Sequence, residues 1–202
     1  MAKLNSDELY QEYLAKVYHQ RTGYLVYSPE EKTNFSKQHI CTTYGELLYP
    51  GVKEVIENLA LQPDDILLDL GSGLGKFALQ IFMQSTVRKV IGIEGSLKLH
   101  EQAQKALALV KSEHPYFWAD GRELVLMHGN FLDLDWQDAN IVYMCSTSFS
   151  PELMLKISEK VNSSPTVKTL LSLRAVPDLR LPLKKVITVE CSWDTVPAHI
   201  YA

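Results

Sequence analysis

The chain of 202 residues has no apolar run near the roughly 18–20 residues that cross a bilayer, so nothing in it reads as a membrane span. Its first ten residues lack the apolar centre of a secretion signal. Cysteine is scarce and scattered: Cys41, Cys145 and Cys191 form no Cys-x-x-Cys pair. That odd count argues against a structural zinc site and for a reducing, cytoplasmic setting. No metal ligand set is expected. Basic charge is not in excess either. The formal net charge is −4, which gives no global signature of a nucleic-acid binder. Internal repeats and low-complexity tracts are missing too, so no linker separates independent domains. What remains is an ordinary globular composition, 46% hydrophobic and 22% charged, long enough for a single α/β core.

The most informative stretch is Ile66 to Gly75, an apolar run delivered into Gly71, Gly73 and Gly75. A short, wholly apolar run ending in turn residues suits a buried parallel strand. The glycines allow a tight turn and close approach of a ligand. Phe77, Ala78, Ile81 and Phe82 follow at helical spacing. Strand, glycine turn and helix together build the nucleotide pocket of a doubly wound sheet. A dinucleotide fingerprint needs a sixth-position glycine, and that position is Lys76. Asp69, two residues before the first glycine, would repel a pyrophosphate and attract an ammonium group. The ligand is therefore expected to be S-adenosylmethionine, which carries an amino-acid end and no phosphate. A nicotinamide-dependent dehydrogenase is the distant alternative.

Residues 1–40 are expected to form a helical segment packing on a core of residues 41–202. Ser6 and Asp7 can cap a helix to about His19, with Leu9, Tyr13 and Val17 on one face. The tyrosines of this segment, Tyr10, Tyr13, Tyr18, Tyr24 and Tyr27, read either as docking side chains or as a lid over a site. Ser28-Pro29-Glu30-Glu31 starts a further helix. A helix from about Pro50 to Ala60 carries Val52, Val55, Ile56 and Leu59.

The second strand, Lys89 to Glu94, ends in an acid 19 residues after Gly75, placed to accept ribose hydroxyls. Leu99, Ala103, Ala106, Leu107 and Val110 mark the next helix, and Ser112 to Arg122 is read as a loop. The third strand, Glu123 to His128, leads to Asn130 and Phe131, placed to bond and stack on an adenine, although Phe131 also suits a core. The fourth strand, Ala139 to Met144, runs into Cys145-Ser146-Thr147-Ser148-Phe149, where a methyl group would project. After a helix from Ser150 to about Val161, Lys168 to Val176 is a fifth strand. Lys184 to Cys191 and Pro197 to Tyr201 pair around Ser192-Trp193-Asp194-Thr195. The expected fold is α/β and Rossmann-like: a seven-stranded, mostly parallel class I methyltransferase sheet with an antiparallel C-terminal hairpin and helices on both faces.

Tyr44-Gly45-Glu46, Asp69-Leu70-Gly71-Ser72-Gly73-Leu74-Gly75-Lys76, Gly92-Ile93-Glu94, Gly129-Asn130-Phe131-Leu132 and Cys191-Ser192-Trp193 together resemble the non-SET histone-lysine methyltransferase family named for disruption of telomeric silencing. The resemblance runs from about Thr42 onward. It implies S-adenosylmethionine as methyl donor and a protein lysine as acceptor, with a histone one candidate and a nuclear setting if so. It also implies a loop with Tyr44 and Glu46 over the methionine end. Asp69 and Gly71 would hold the amino-acid group, Glu94 the ribose, and Asn130 and Phe131 the adenine. Trp193 would wall the acceptor channel.

Four features depart from the family pattern. Lys76 and Asn130 stand where glutamine and aspartate are usual. Residues 145–149 lack the usual asparagine, which leaves Ser146 or Thr147 to meet the transferring methyl. No lysine-rich extension of the kind that helps hold nucleosomes is seen, and there is no direct nucleic-acid motif. Alignment of donor and acceptor, with water removed, is the main demand of methyl transfer, so no general base is expected. The catalytic residues expected are Ser146, Thr147 and Trp193. A class I methyltransferase acting on a small molecule or on another protein side chain, and a non-catalytic S-adenosylmethionine sensor, are the alternatives.

Overall fold

A computed structural model describes residues 4–136 and 138–202; Met1–Lys3, within the expected 1–40 segment, lie outside the described residues. Seven strands form one sheet: β1 (Ile66–Leu70), β2 (Lys89–Glu94), β3 (Glu123–His128), β4 (Ile141–Met144), β5 (Thr169–Ser172), β6 (Leu183–Glu190) and β7 (Thr195–Tyr201). Their spatial order is β3-β2-β1-β4-β5-β7-β6. β1 to β5 are parallel, while β7 pairs antiparallel with both β5 and β6. This is the expected seven-stranded sheet with an antiparallel hairpin at one end.

β1 is central, and every residue in it is buried, as a strand covered on both faces requires. Its side chains alternate between two cores. Leu67 joins the helices α3 (Tyr49–Leu59), α4 (Lys76–Gln84) and α5 (Leu97–Glu113) on one face. Ile66, Leu68 and Leu70 join α6 (Pro151–Ser163) on the other.

Local sequence chemistry explains the element ends. Ser28 and Glu31 close a reciprocal capping box at the start of α2 (Pro29–Lys37). Ser150 caps α6 and Ser6 caps α1 (Asp7–Tyr18). β4 begins at Ile141 rather than Ala139. The Asn140 side chain accepts from the Ile66 amide at 2.8 Å and donates to Asp65 at 2.7 Å, so it fastens the strand entry instead of extending the ladder. β5 stops at Ser172 rather than Val176, because the Arg174 amide turns toward the Ser146 and Ser172 hydroxyls. The α5 helix runs on to Glu113, and the following loop contains a 3₁₀ turn at Pro115–Trp118.

α1 docks on α5 through Tyr13, Leu14, Val17 and Tyr18, all buried, whereas Leu9 faces outward. The buried face thus rotates away from Leu9 and takes in Leu14 and Tyr18. The Tyr13 hydroxyl donates to Glu113 at 2.8 Å and its ring meets His114 edge-on.

Candidate functional site

The carboxyl ends of β1, β2 and β4 converge under the glycine turn. Gly71, Gly73 and Gly75 all take positive φ, of 79°, 55° and 75°, the left-handed region that favours glycine. The turn is fastened from β2: the amides of Gly71 and Ser72 both donate to the Ile93 carbonyl, at 2.9 and 3.0 Å. It is fastened from α1 as well, where the buried Tyr18 hydroxyl donates to the Leu74 carbonyl at 3.2 Å.

A pocket opens beside this turn, lined from several elements that include Asp69, Gly71, Gly73, Glu94, Asn130 and Phe131. Asp69 lies opposite Gly92 on one side and Tyr143 on the other. It is only 2% exposed, and its Oδ2 atom has no hydrogen-bond partner. Burial, with the nearby Glu94 second, holds its carboxyl well above the usual carboxylate range. A buried, unpaired acceptor facing a cavity is the complement of a cationic group.

Glu94 is organised differently. One oxygen accepts from the Gly73 amide at 2.7 Å and the other from the Ser96 amide at 2.7 Å. The Gly95 amide bonds this carboxylate as well, so three backbone donors hold it and part of its acceptor capacity remains for a hydroxyl. Burial raises its pKa, and the backbone donors oppose that rise.

The segment before α3 covers the pocket. The Tyr44 ring lies on the glycine turn so closely that a Cβ on Gly73 would meet it at 2.9 Å. Its hydroxyl donates to Glu46, and Glu46 pairs with Lys76 at 2.5 Å. Lys76 also lies over the Tyr18 ring, 5.1 Å from the centroid. The cover is pinned to the β6–β7 hairpin: Leu47 bridges Cys191, and the Ser192 amide donates to the Glu46 carbonyl at 2.8 Å. With the cover down the cavity holds about 100 Å³, below the roughly 300–1,000 Å³ usual for small-molecule pockets.

The β3 end supplies Asn130 and Phe131. Asn130 donates to the Gln38 carbonyl at 2.9 Å and accepts from the Leu132 amide at 3.0 Å, so it joins the cover to the turn after β3. Phe131 is both a pocket wall and a core aromatic, its ring 6.0 Å from Phe149 and nearly parallel.

At the β4 end the structure separates the expected catalytic residues. Thr147 lines the pocket, together with Cys145 and Phe149. Burial, first, pushes the Cys145 thiol up to about 12, and the Sγ donates to the Gly45 carbonyl at 3.6 Å. Ser146 is 0% exposed and is absent from the pocket wall. Its hydroxyl bonds Ser172 at 2.7 Å and accepts from the Arg174 amide at 3.1 Å, so it ties β4 to β5. Trp193 does not line the pocket either. It sits on the hairpin turn, 43% exposed, against Gly45, where a Cβ would meet its ring at 2.4 Å. It backs the cover.

Sequence reasoning left Ile40 out of the site and brought Tyr27 to it only through the alternative of a tyrosine lid. Both line the pocket. Tyr27 donates to the Ser96 hydroxyl at 2.9 Å, and Ile40 lies on Gly95. The N-terminal tyrosines divide accordingly. Tyr13 and Tyr18 dock α1, whereas Tyr27 lies in the pocket wall and Tyr24 packs edge-on against Tyr44. Only the missing hydrophobic periodicity around Tyr24 and Tyr27 hinted at this division. Among the described residues no group of three or more histidine, cysteine or acidic side chains could hold a metal ion.

Among solved structures the chain is similar to M. capricolum TrmK bound to S-adenosyl-homocysteine. The TM-score is 0.55 at 12% identity, over 74% of this chain and 66% of that one. It is also similar to an RNA methyltransferase from Salinibacter ruber in complex with S-adenosyl-L-homocysteine, with TM-score 0.50 at 19% identity, over 75% of this chain and 89% of that one. These likenesses establish the Rossmann-like class I methyltransferase fold.

By sequence, the chain is 25% identical over 138 residues to an H3 lysine-79 specific histone-lysine N-methyltransferase of Caenorhabditis elegans, covering 66% of this chain. The corresponding Dictyostelium discoideum protein is 28% identical over 138 residues, covering 63% of this chain. The aligned part spans only 15% and 7% of those two relatives. The family described as "Histone methylation protein DOT1" matches residues 25–186. With cover, glycine turn and pocket all inside that match, the chain belongs to the DOT1 family.

Proposed function

We propose that this chain is an S-adenosylmethionine-dependent methyltransferase whose acceptor is a protein lysine. The carrying observation is the buried, unpartnered Oδ2 of Asp69, a residue that lines the pocket. That atom fits an ammonium group, and a pocket with Asp69 and Glu94 both buried suits a cofactor of net positive charge. Asp69 and Gly71 would hold the amino-acid end, under Tyr44 and Glu46. Glu94 would accept the ribose hydroxyls, beside the backbone of Gly73 and Gly75. Asn130 and Phe131 would take the adenine.

The cofactor supplies a methyl group on a sulfonium, ready for in-line displacement by a neutral amine. The chain's own residues orient the partners and exclude water. Cys145, Thr147, Ser148 and Phe149 form the wall at the β4 end, where burial raises the Cys145 pKa. The same desolvation disfavours the charged form of an incoming lysine. Of the expected catalytic residues, Thr147 is the one left on the pocket wall to meet the reacting centre, beside Ser148, with Trp193 supporting the cover from behind. No dedicated base is invoked.

A histone acceptor is supported by the DOT1 family match and by the H3 lysine-79 relatives. It places the work in the nucleus, or on chromatin; another protein acceptor would leave a cytoplasmic setting open. Burial of Ser146 away from the pocket gives weight to a second reading, cofactor binding without transfer, because it leaves only the hydroxyls of Thr147 and Ser148 on the pocket wall in the segment that lacks asparagine.

The test is transfer from methyl-labelled S-adenosylmethionine to nucleosomes, free core histones and a whole-cell extract, read by gel and intact mass. Label on a histone is the expected result. Label on another protein alone moves the acceptor and keeps the chemistry. Cofactor binding with no label anywhere favours the sensor.

A further inference from the structure

Lys160, on the inner side of α6, reaches the turn that follows β3. Its ammonium donates to three backbone carbonyls: Phe131 at 3.1 Å, Leu132 at 2.7 Å and Leu134 at 2.7 Å. Those three bonds use all three of its protons. The amine also lies over the Trp136 ring, 5.0 Å from the centroid, and the Trp136 indole donates to the same Phe131 carbonyl at 2.8 Å.

The other side of the turn closes on Asn130. Its backbone carbonyl accepts from the amides of Asp133 and Leu134, at 3.0 and 3.1 Å, and its side chain accepts from Leu132 at 3.0 Å. Amides thus converge on Asn130 and carbonyls on Lys160. The turn between these two poles carries Phe131, which walls the pocket, and Asn130, which holds the cover through Gln38. Removing the ammonium would leave the Leu132 and Leu134 carbonyls without this donor and the Phe131 carbonyl with the Trp136 indole alone, and the turn would rearrange. Desolvation, partly offset by Asp133 and Asp135, lowers the Lys160 pKa, as expected for an amine drawn into the fold.

We infer that Lys160 is a positioning residue for the adenine end of the pocket: it acts through the 130–134 turn, sets Asn130 and Phe131, and does not itself touch the nucleoside. This rests on the cofactor reading above.

The test compares the whole chain with Lys160→Met, which keeps the stem and loses the donors, and Lys160→Arg, which restores a cation. Calorimetry measures S-adenosylhomocysteine and 5′-methylthioadenosine, a thioether nucleoside with no amino-acid end. Lys160→Met is expected to weaken both ligands by a similar factor of at least about tenfold, the scale of charge-assisted bonds. Lys160→Arg recovers most of that loss, although both variants lower the melting temperature. A general loss of fold would not be repaired in binding by arginine while the melting temperature stayed low. Equal binding of methylthioadenosine by wild type and Lys160→Met overturns the inference and leaves the cofactor reading intact. Failure of the wild type to bind either nucleoside overturns both.

Discussion

Asp69→Asn separates the two roles that a buried acid can have. In the ligand-free protein the Oδ2 atom has no partner, so the carboxylate is a burden on the fold. On binding an ammonium group it becomes half of a buried ion pair. Losing a charge-assisted bond in such a site costs about 2–4 kcal/mol, or roughly 30- to 1,000-fold in affinity. Stability moves the other way. The folded pKa of Asp69 is raised, so its favourable contribution is complete below the unfolded value, near 3.8, and is lost as pH rises through the folded value. The neutral amide has no such loss. Urea unfolding of the two proteins should therefore diverge in favour of the variant as pH increases above that carboxylate value. Calorimetry in two buffers of different ionisation enthalpy adds a further check: at a pH below the raised folded pKa, ammonium binding ionises Asp69, so the wild type releases a proton that Asp69→Asn does not. If Asp69→Asn binds S-adenosylhomocysteine as tightly as wild type, with unchanged proton release, the assignment of this acid to the amino-acid end is refuted.

Ser146→Ala should lower stability by about 1–2 kcal/mol in urea unfolding, because Ser172 and the Arg174 amide lose a partner. Transfer per folded molecule should persist; a loss of transfer at wild-type stability would return Ser146 to the chemistry. Gly73→Ala combines a positive φ with a Cβ 2.9 Å from the Tyr44 ring. It should cost about 1–3 kcal/mol and open the cover, seen as increased proteolysis between residues 38 and 48. A variant as stable and as protected as wild type would contradict the packing of Tyr44 on the turn.

Much of this architecture is legible along the chain because its signals are local. β1, β2 and β3 fall where their apolar runs and flanking turns put them, and Ser6, Ser28 and Ser150 cap the expected helices. The acids Asp69 and Glu94 sit near strand ends whose spacing from the glycine turn follows from the strand, turn, helix and strand unit. Errors appear where tertiary partners decide. Nothing around Ser146 announces that its hydroxyl will meet Ser172, 26 residues on, rather than a ligand. Nothing near Lys160 shows that three carbonyls will gather around it, since backbone acceptors leave no mark in residue type. Tyr27 and Ile40 enter the pocket through the path of an irregular segment, which periodicity does not describe.

The sheet order carries a consequence for how this protein can change over time. Because β1 lies between β2 and β4, the residues assigned to the nucleoside stand on one flank, on β2, β3 and the turn after it. Residues 145–149 and the β6–β7 hairpin stand on the other flank, on a separate run of chain. Under the proposed assignment, substitutions on that flank would leave Asp69 and Glu94, on the other strands, in place. On that assignment, such a layout would let a lineage exchange acceptors while keeping its donor.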